Sequence, residues 1–261
     1  MNLDLTNKNA LVGGGSKGLG KATAIELAKL GANITLISRS EERLQAALAD
    51  LPMSEHQSHD YLVADSSDSV DLRMKVLQLL EKKPIHILIN NTGGPKGGPI
   101  VDADPLEFLQ AFNNHLICNH LLTQLVMDGM KEAGYGRIIN ITSTSIRQPI
   151  MGLGVSNTTR GAVASWAKTV SLELAPFGIT VNNILPGTTQ TSRIVEIVTA
   201  KAKRVGVSYE QMEEQIKAQV PMQRFATPEE IGAVVAFVAS PAASYITGTS
   251  IPVDGGKIKS I

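Results

Sequence analysis

Ala10-Leu11-Val12-Gly13-Gly14-Gly15-Ser16-Lys17-Gly18-Leu19-Gly20 is the stretch that decides the fold. A short apolar run leads into clustered glycines, and an amphipathic helical pattern follows, so the segment reads as a strand, a tight turn and a helix. The glycines fit two spacings. Gly13, Gly15 and Gly18 satisfy GxGxxG, whereas Gly14, Gly18 and Gly20 satisfy GxxxGxG. The second spacing is preferred, because it sets Gly20 inside the helix, where a missing side chain lets helix and strand approach closely. In either spacing the unpaired N–H groups of a helix N-terminus face the turn and suit the pyrophosphate of a dinucleotide. Gly14, Ser16, Lys17, Gly18, Leu19 and Gly20 are therefore the first candidate cofactor contacts.

Outward from this turn, short apolar runs alternate with longer amphipathic stretches, the pattern of βαβ units around a parallel sheet. Strands are predicted over 10–12, 34–38, 61–63, 85–90, 137–141, 180–184 and 250–253. Several are β-branched and apolar on both faces, as buried parallel strands are. Helices are predicted over 18–30, 41–51, 69–81, 105–131, 157–175 and 228–239. Pro105 and Pro228 suit a first helical turn, and Gly31 and Gly178 suit helix stops. The segment from Gly187 to Met222 is longer than an ordinary connection and carries two helical patterns, 194–204 and 209–219. Its place after a strand's carboxyl end predicts a substrate lid. No internal repeat or linker interrupts the chain, so residues 1–261 read as one dinucleotide-binding domain carrying a lid-like insertion at about 187–222.

The end of the second strand selects between cofactors. An acidic residue there would bind the adenosine ribose hydroxyls and repel a 2′-phosphate. The chain instead reads Ile37-Ser38-Arg39-Ser40. Arg39 can take a phosphate in its planar fork and Lys17 can add a second positive charge, which favours NADP(H) over NAD(H). Asp65 and Ser66, after the third strand, are expected beside the adenine, and Asn90-Asn91-Thr92-Gly93, after the fourth, near the nicotinamide ribose, with Asn91 and Gly93 as the candidate contacts.

Composition excludes other classes. With 43% hydrophobic residues, 261 residues can bury a full core. Lysine plus arginine and aspartate plus glutamate each number 24, and aromatics are 4%, so neither a net positive field nor a stacking platform for nucleic acid is present. No apolar run nears the roughly 20 residues that span a bilayer, and residues 1–6 lack a signal-peptide pattern, so a cytoplasmic protein without membrane contact is expected. The single cysteine, Cys118, reads as a small buried hydrophobe. His56 and His59 form an HxxH in a polar loop with no further ligands nearby; they are expected to be exposed, and no metal site is expected.

The whole chain resembles the short-chain dehydrogenase/reductases, and most of all their β-ketoacyl-acyl-carrier-protein reductase branch. The resemblance rests on the glycine turn, on Asn90-Asn91-Thr92-Gly93 (similar to Asn-Asn-Ala-Gly), on Gly136-Arg137-Ile138-Ile139-Asn140-Ile141-Thr142-Ser143, on Val181-Asn182-Asn183-Ile184-Leu185-Pro186-Gly187, and on Tyr245-Ile246-Thr247-Gly248 with Val253-Asp254-Gly255-Gly256. It implies a doubly wound Rossmann-type α/β sandwich of three layers with a seven-stranded parallel sheet. It also implies cofactor contacts from Pro186, Gly187, Thr189 and Thr191, and assembly as a homodimer or homotetramer through the fourth and fifth helices. Leu116, Leu121, Leu125, Val163, Trp166 and Val170 give those helices apolar residues on more than one face, in keeping with such an interface.

The resemblance also implies a catalytic tetrad, and here the chain departs from it. Ser143 matches the serine that orients the carbonyl. Where the family has its Tyr-xxx-Lys pair stand Ser156 and Arg160, and where it has an asparagine stands His115. A serine hydroxyl is a far weaker acid than a phenol, and arginine can hold ribose hydroxyls but cannot relay a proton. Lys168, about 80° around the helix from Arg160, does not replace the lysine. His115 lies on an apolar helical stripe, where a core histidine is the simpler reading, yet it is also a candidate to supply or relay the missing proton. Two functions remain open. One is an NADP(H)-dependent carbonyl reductase or alcohol dehydrogenase acting on a small carbonyl or alcohol, acyl thioesters included. The other is a catalytically silent dinucleotide-binding protein, a sensor or a partner of an active paralogue.

Overall fold

The structure is a computed structural model, and it describes residues 1–260. Its strands are β1 (Asn9–Gly13), β2 (Asn33–Ser38), β3 (Asp60–Val63), β4 (Ile87–Asn90), β5 (Gly136–Ile141), β6 (Ile179–Pro186) and β7 (Ser250–Val253). All pair in parallel, in the order β3-β2-β1-β4-β5-β6-β7. Between them run α1 (Gly18–Lys29), α2 (Glu41–Ala49), α3 (Ser69–Leu80), α4 (Pro105–Phe112), α5 (Cys118–Glu132), α6 (Gly154–Leu174), α7 (Ser192–Val205), α8 (Tyr209–Lys217) and α9 (Pro228–Ala239).

Side chains alternate between two cores. Val12, Ile87, Ile89 and Ile139 face α1, α2 and α9, while Leu11, Leu88 and Ile138 face α3, α5 and α6. With both faces covered, the central strands carry apolar residues on both sides, and each buried Leu or Ile contributes roughly 1.5–3 kcal/mol. Cys118 is buried in the second core. The chain reverses its direction of winding between β1 and β4, and that switch point opens a crevice at the carboxyl ends of the strands, where doubly wound sheets hold ligands.

Caps explain most helix boundaries. Asp104 accepts from Leu106 N ahead of Pro105, and Thr227 and Glu230 form a capping box around Pro228. Gly31 and Gly178 both have positive φ just past helical segments. One boundary differs from expectation. The helix predicted over 105–131 is interrupted by a π turn, Asn113–Ile117, between α4 and α5. The wider turn carries one extra residue, so Asn114 reaches the crevice while His115 is buried beneath it.

The segment expected to form a lid folds into α7 and α8, which pack on each other through Val198, Ala202, Met212 and Ile216 with Phe225. Arg193, at the start of α7, donates to Pro95 O in the loop after β4 (3.2 Å), so the insertion reaches across the crevice. His59 is half-buried rather than exposed. Its Nδ1 accepts from Ile34 N at 3.1 Å and its Nε2 is 3.0 Å from Pro52 O, so it tethers the loop to β2. No cluster that could hold a metal occurs among the described residues, and none of their helices is long and apolar enough to cross a membrane. Val163 is buried inside this chain, so it is not part of a free helix face; Leu106, Leu109, Ile117 and Leu172 are exposed instead.

Candidate active site and cofactor cleft

A single cleft of about 1950 Å³ runs along the carboxyl ends of the strands and under α7 and α8. At one end Gly14 has φ +57°, and a Cβ on Gly20 would collide with Gly14 O, so α1 meets the turn backbone to backbone. Ser16, Lys17, Gly18 and Leu19 line the cleft, and Gly20 lies behind them. No side chain caps the N-terminus of α1 and no acid stands in its first turn, so its N–H groups are free for an anion. Dinucleotide pyrophosphate fits that cradle. Asp65, Ser66, Asn91, Gly93, Pro186, Gly187, Thr189 and Thr191 also line the cleft. Asn91 Nδ2 donates to Gly13 O (3.1 Å), tying the β4 end to the glycine turn.

Three cations gather at the β2 end. Lys17 and Arg39 are joined by Arg43, a residue that sequence reading missed. Its signal was available: Arg43 is four residues past Arg39 and lies in the first turn of α2, which Ser40 caps by accepting from Arg43 N. Arg39 is 3.8 Å from Asp65, an exposed and weak pair that a phosphate can displace. The Asp65 carboxyl is held below its ordinary range mainly by the Ser67 backbone N–H.

The four candidate catalytic residues do not share one surface. Ser143 lines the cleft, and its Oγ accepts from Ser145 N (3.1 Å), which leaves its O–H free to donate to a ligand oxygen. His115 and Arg160 are buried behind the wall, with Thr92 between them and the cleft. The Thr92 hydroxyl hydrogen bonds His115 Nδ1. Arg160 donates to Ile141 O (3.0 Å) and lies 3.5 Å from Thr92 O. Burial, with the nearby Arg160 charge, pushes the His115 imidazole from its ordinary value down to about 3, so it is neutral at pH 7. Burial lowers Arg160 to about 10, and it stays cationic. Ser156, half-buried in the first turn of α6, does not line the cleft; Asn157 and Thr158 beside it do. Lys168 donates to Gly248 O (3.2 Å) and plays no part here.

Thr92, expected from the sequence near the nicotinamide ribose, makes a contact that sequence reading did not assign. It stands where the resembled motif has alanine, and it touches His115, which stands where the family has asparagine. Two departures in contact were the legible signal. Below them Asn90 Nδ2 donates to Asn140 Oδ1 (2.8 Å), Asn140 Nδ2 to Asn183 Oδ1 (3.0 Å) and Asn183 Nδ2 to Ser250 Oγ (3.1 Å), a ladder of amides that locks the ends of β4 to β7.

Comparison with known proteins agrees with this fold. The family model described as enoyl-(acyl carrier protein) reductase matches residues 14–257. The chain is 30% identical over 259 residues to the NADPH-dependent reductase BacG of Bacillus subtilis, covering 98% of this chain and all of that one. It is 30% identical over 250 residues to a putative ketoacyl reductase of Streptomyces coelicolor, covering 95% of each. The crystal structure of L-sorbose reductase from Gluconobacter frateurii, complexed with NADPH and L-sorbose, superposes with a TM-score of 0.93 at 27% identity over the full length of both chains.

Proposed function

The chain belongs to the short-chain dehydrogenase/reductase family, and on that premise we propose that it is an NADPH-dependent carbonyl reductase working without the family's phenol and ammonium pair. The observation that carries this reading is the continuity of the cleft, from Lys17, Arg39 and Arg43 past the glycine cradle to the Ser143 hydroxyl. NADPH would supply the hydride when bound. The residues fit it: the bare α1 N-terminus holds the pyrophosphate, and the three cations hold the 2′-phosphate.

The chain's own groups then manage the charge that develops on the substrate oxygen. Ser143 donates its free O–H to that oxygen. Arg160, cationic and without a carboxylate partner among the described residues, sets a positive field beneath the site. His115, neutral, orients the Thr92 hydroxyl toward the cleft, and the proton reaches the substrate oxygen through Thr92 or water in the open cleft. The product is the alcohol, with one hydride and one proton added across the carbonyl.

Cofactor choice tests the reading from its binding side. Arg39→Asp removes one charge-assisted contact to the 2′-phosphate and adds a repulsion, a loss of about ten- to a hundredfold in NADPH affinity. NADH affinity should change much less. Titration of both cofactors by fluorescence reads the ratio. Equal dissociation constants for NADPH and NADH in the unmutated protein would contradict the assignment.

A further inference from the structure

The cleft has a second basic end, which hydride transfer does not require. Lys201 on α7 and Lys257 just past β7 both line it. The strand order places them. β2 and β3 mark the adenosine end, Ser143 follows the end of β5, and β6 and β7 lie beyond, with about 10 Å (two strand spacings) between the ends of β5 and β7. Lys257 is half-buried with its Nζ 3.4 Å from Thr188 Oγ1, and Gly187 N donates to Val253 O (2.9 Å), which seats its loop against the end of β6.

Neither lysine forms an ion pair among the described residues. The carboxylate within reach, Asp254, is turned into its own loop: Oδ1 accepts from Gly256 N (3.0 Å) and Oδ2 from Ile258 N (2.7 Å). Glu196, the acid on this wall, pairs with Arg193 at 3.3 Å, while Arg204 adds a further positive charge. Both lysines line the same end of the cleft, and burial lowers the Lys257 pKa, the Lys201 charge lowering it further while Asp254 opposes the shift. Like charges lining one cleft, with no ion pair among the described residues and the neighbouring Asp254 carboxylate engaged by backbone N–H groups, call for an anion from outside. The same cleft also carries the apolar side chains of Ile146, Ile150, Ile194, Ile197 and Ile216.

We propose that Lys201 and Lys257 form a carboxylate subsite, so that the substrate is an oxo acid with an apolar body and its carboxylate several bonds from the reducible carbonyl. This deepens the reductase reading and rests on it. The test offers the NADPH-saturated protein matched pairs, an apolar oxo acid against its methyl ester, and a neutral N-acetylcysteamine thioester against the coenzyme A thioester. The acid should be preferred over its ester by about tenfold or more in kcat/KM, chiefly through KM. Lys257→Gln and Lys201→Gln should each collapse that preference, and Lys257→Arg should keep it. Unchanged NADPH affinity in each variant reports an intact fold.

A readout free of turnover separates the two readings. Calorimetry of the corresponding hydroxy acid with the NADP-loaded protein should show binding that weakens about tenfold or more in Lys257→Gln. Equal use of acid and ester, or a preference that survives both lysine variants, overturns the subsite and leaves the reductase reading standing. A preference confined to the coenzyme A thioester overturns the carboxylate assignment in favour of a phosphate. Tight, lysine-dependent binding of the hydroxy acid without any turnover of the oxo acid leaves the subsite standing and overturns the reductase reading.

Discussion

A proton path through Thr92, His115 and Arg160 in place of a phenol, as proposed above, predicts its own pH effects. An exposed histidine acting as acid would place a step near pH 6.5 in the rate. Burial and Arg160 move His115 to about 3, so turnover should show no histidine step between pH 5 and 8. The same shift appears in stability. The folded imidazole releases its proton more readily than the unfolded one, so its contribution is fully present above pH 6.5 and is lost as pH falls from 6.5 toward 3. His115→Asn can keep a hydrogen bond to Thr92 but has no such proton linkage. Its unfolding midpoint should therefore fall less than the native protein's between pH 6.5 and 4, and urea titrations across that range measure the difference. Parallel curves would show that His115 is not the buried neutral group described. The contact itself was hidden from sequence reading because it joins residue 92 to residue 115; only the two departures from the family pattern pointed to it.

At the scale of elements, all seven strands were legible because parallel strands buried on both faces read as continuous apolar runs, and the glycine turn was legible because backbone contact tolerates no side chain there. Two features were not. The π turn at Asn113–Ile117 leaves no signature in a helical periodicity that continues on either side of it. The amide ladder was equally invisible, since an asparagine inside an apolar strand does not disclose its partner. That ladder should matter to stability. Asn140 is fully buried and bonded on both sides, so Asn140→Ala strands the Asn90 amide donor and the Asn183 acceptor. Each unsatisfied group costs about 1–3 kcal/mol, and the expected loss is about 2–5 kcal/mol in chemical denaturation. A loss below about 1 kcal/mol would mean that the strand ends hold their register without it.

For the whole molecule, the outer flank of α4 to α6 leaves apolar side chains in water, with Leu106 68% and Leu109 62% exposed and Ile117 and Leu172 also uncovered. We expect a homodimer or homotetramer to cover them, and light scattering at micromolar concentration should give a multiple of the chain mass; a monomer would contradict this. The cleft as a whole joins a glycine cradle and a cation cluster to an oriented serine, so cofactor binding was readable from motifs, whereas the proposed carboxylate subsite rests on charges brought together from α7 and the β7 end, which no motif announces. The most direct test of the central claim is NADPH oxidation, followed by absorbance across a broad panel of ketones, oxo acids and β-ketoacyl thioesters, for the native protein beside a Ser156→Tyr, Arg160→Lys double variant. The account predicts steady turnover by the native protein on at least one member of the panel, lost to background when Ser143→Ala removes the donor to the substrate oxygen. A native protein that binds NADPH tightly yet oxidises none of it, while the double variant does, would contradict the account and make the chain a silent dinucleotide binder.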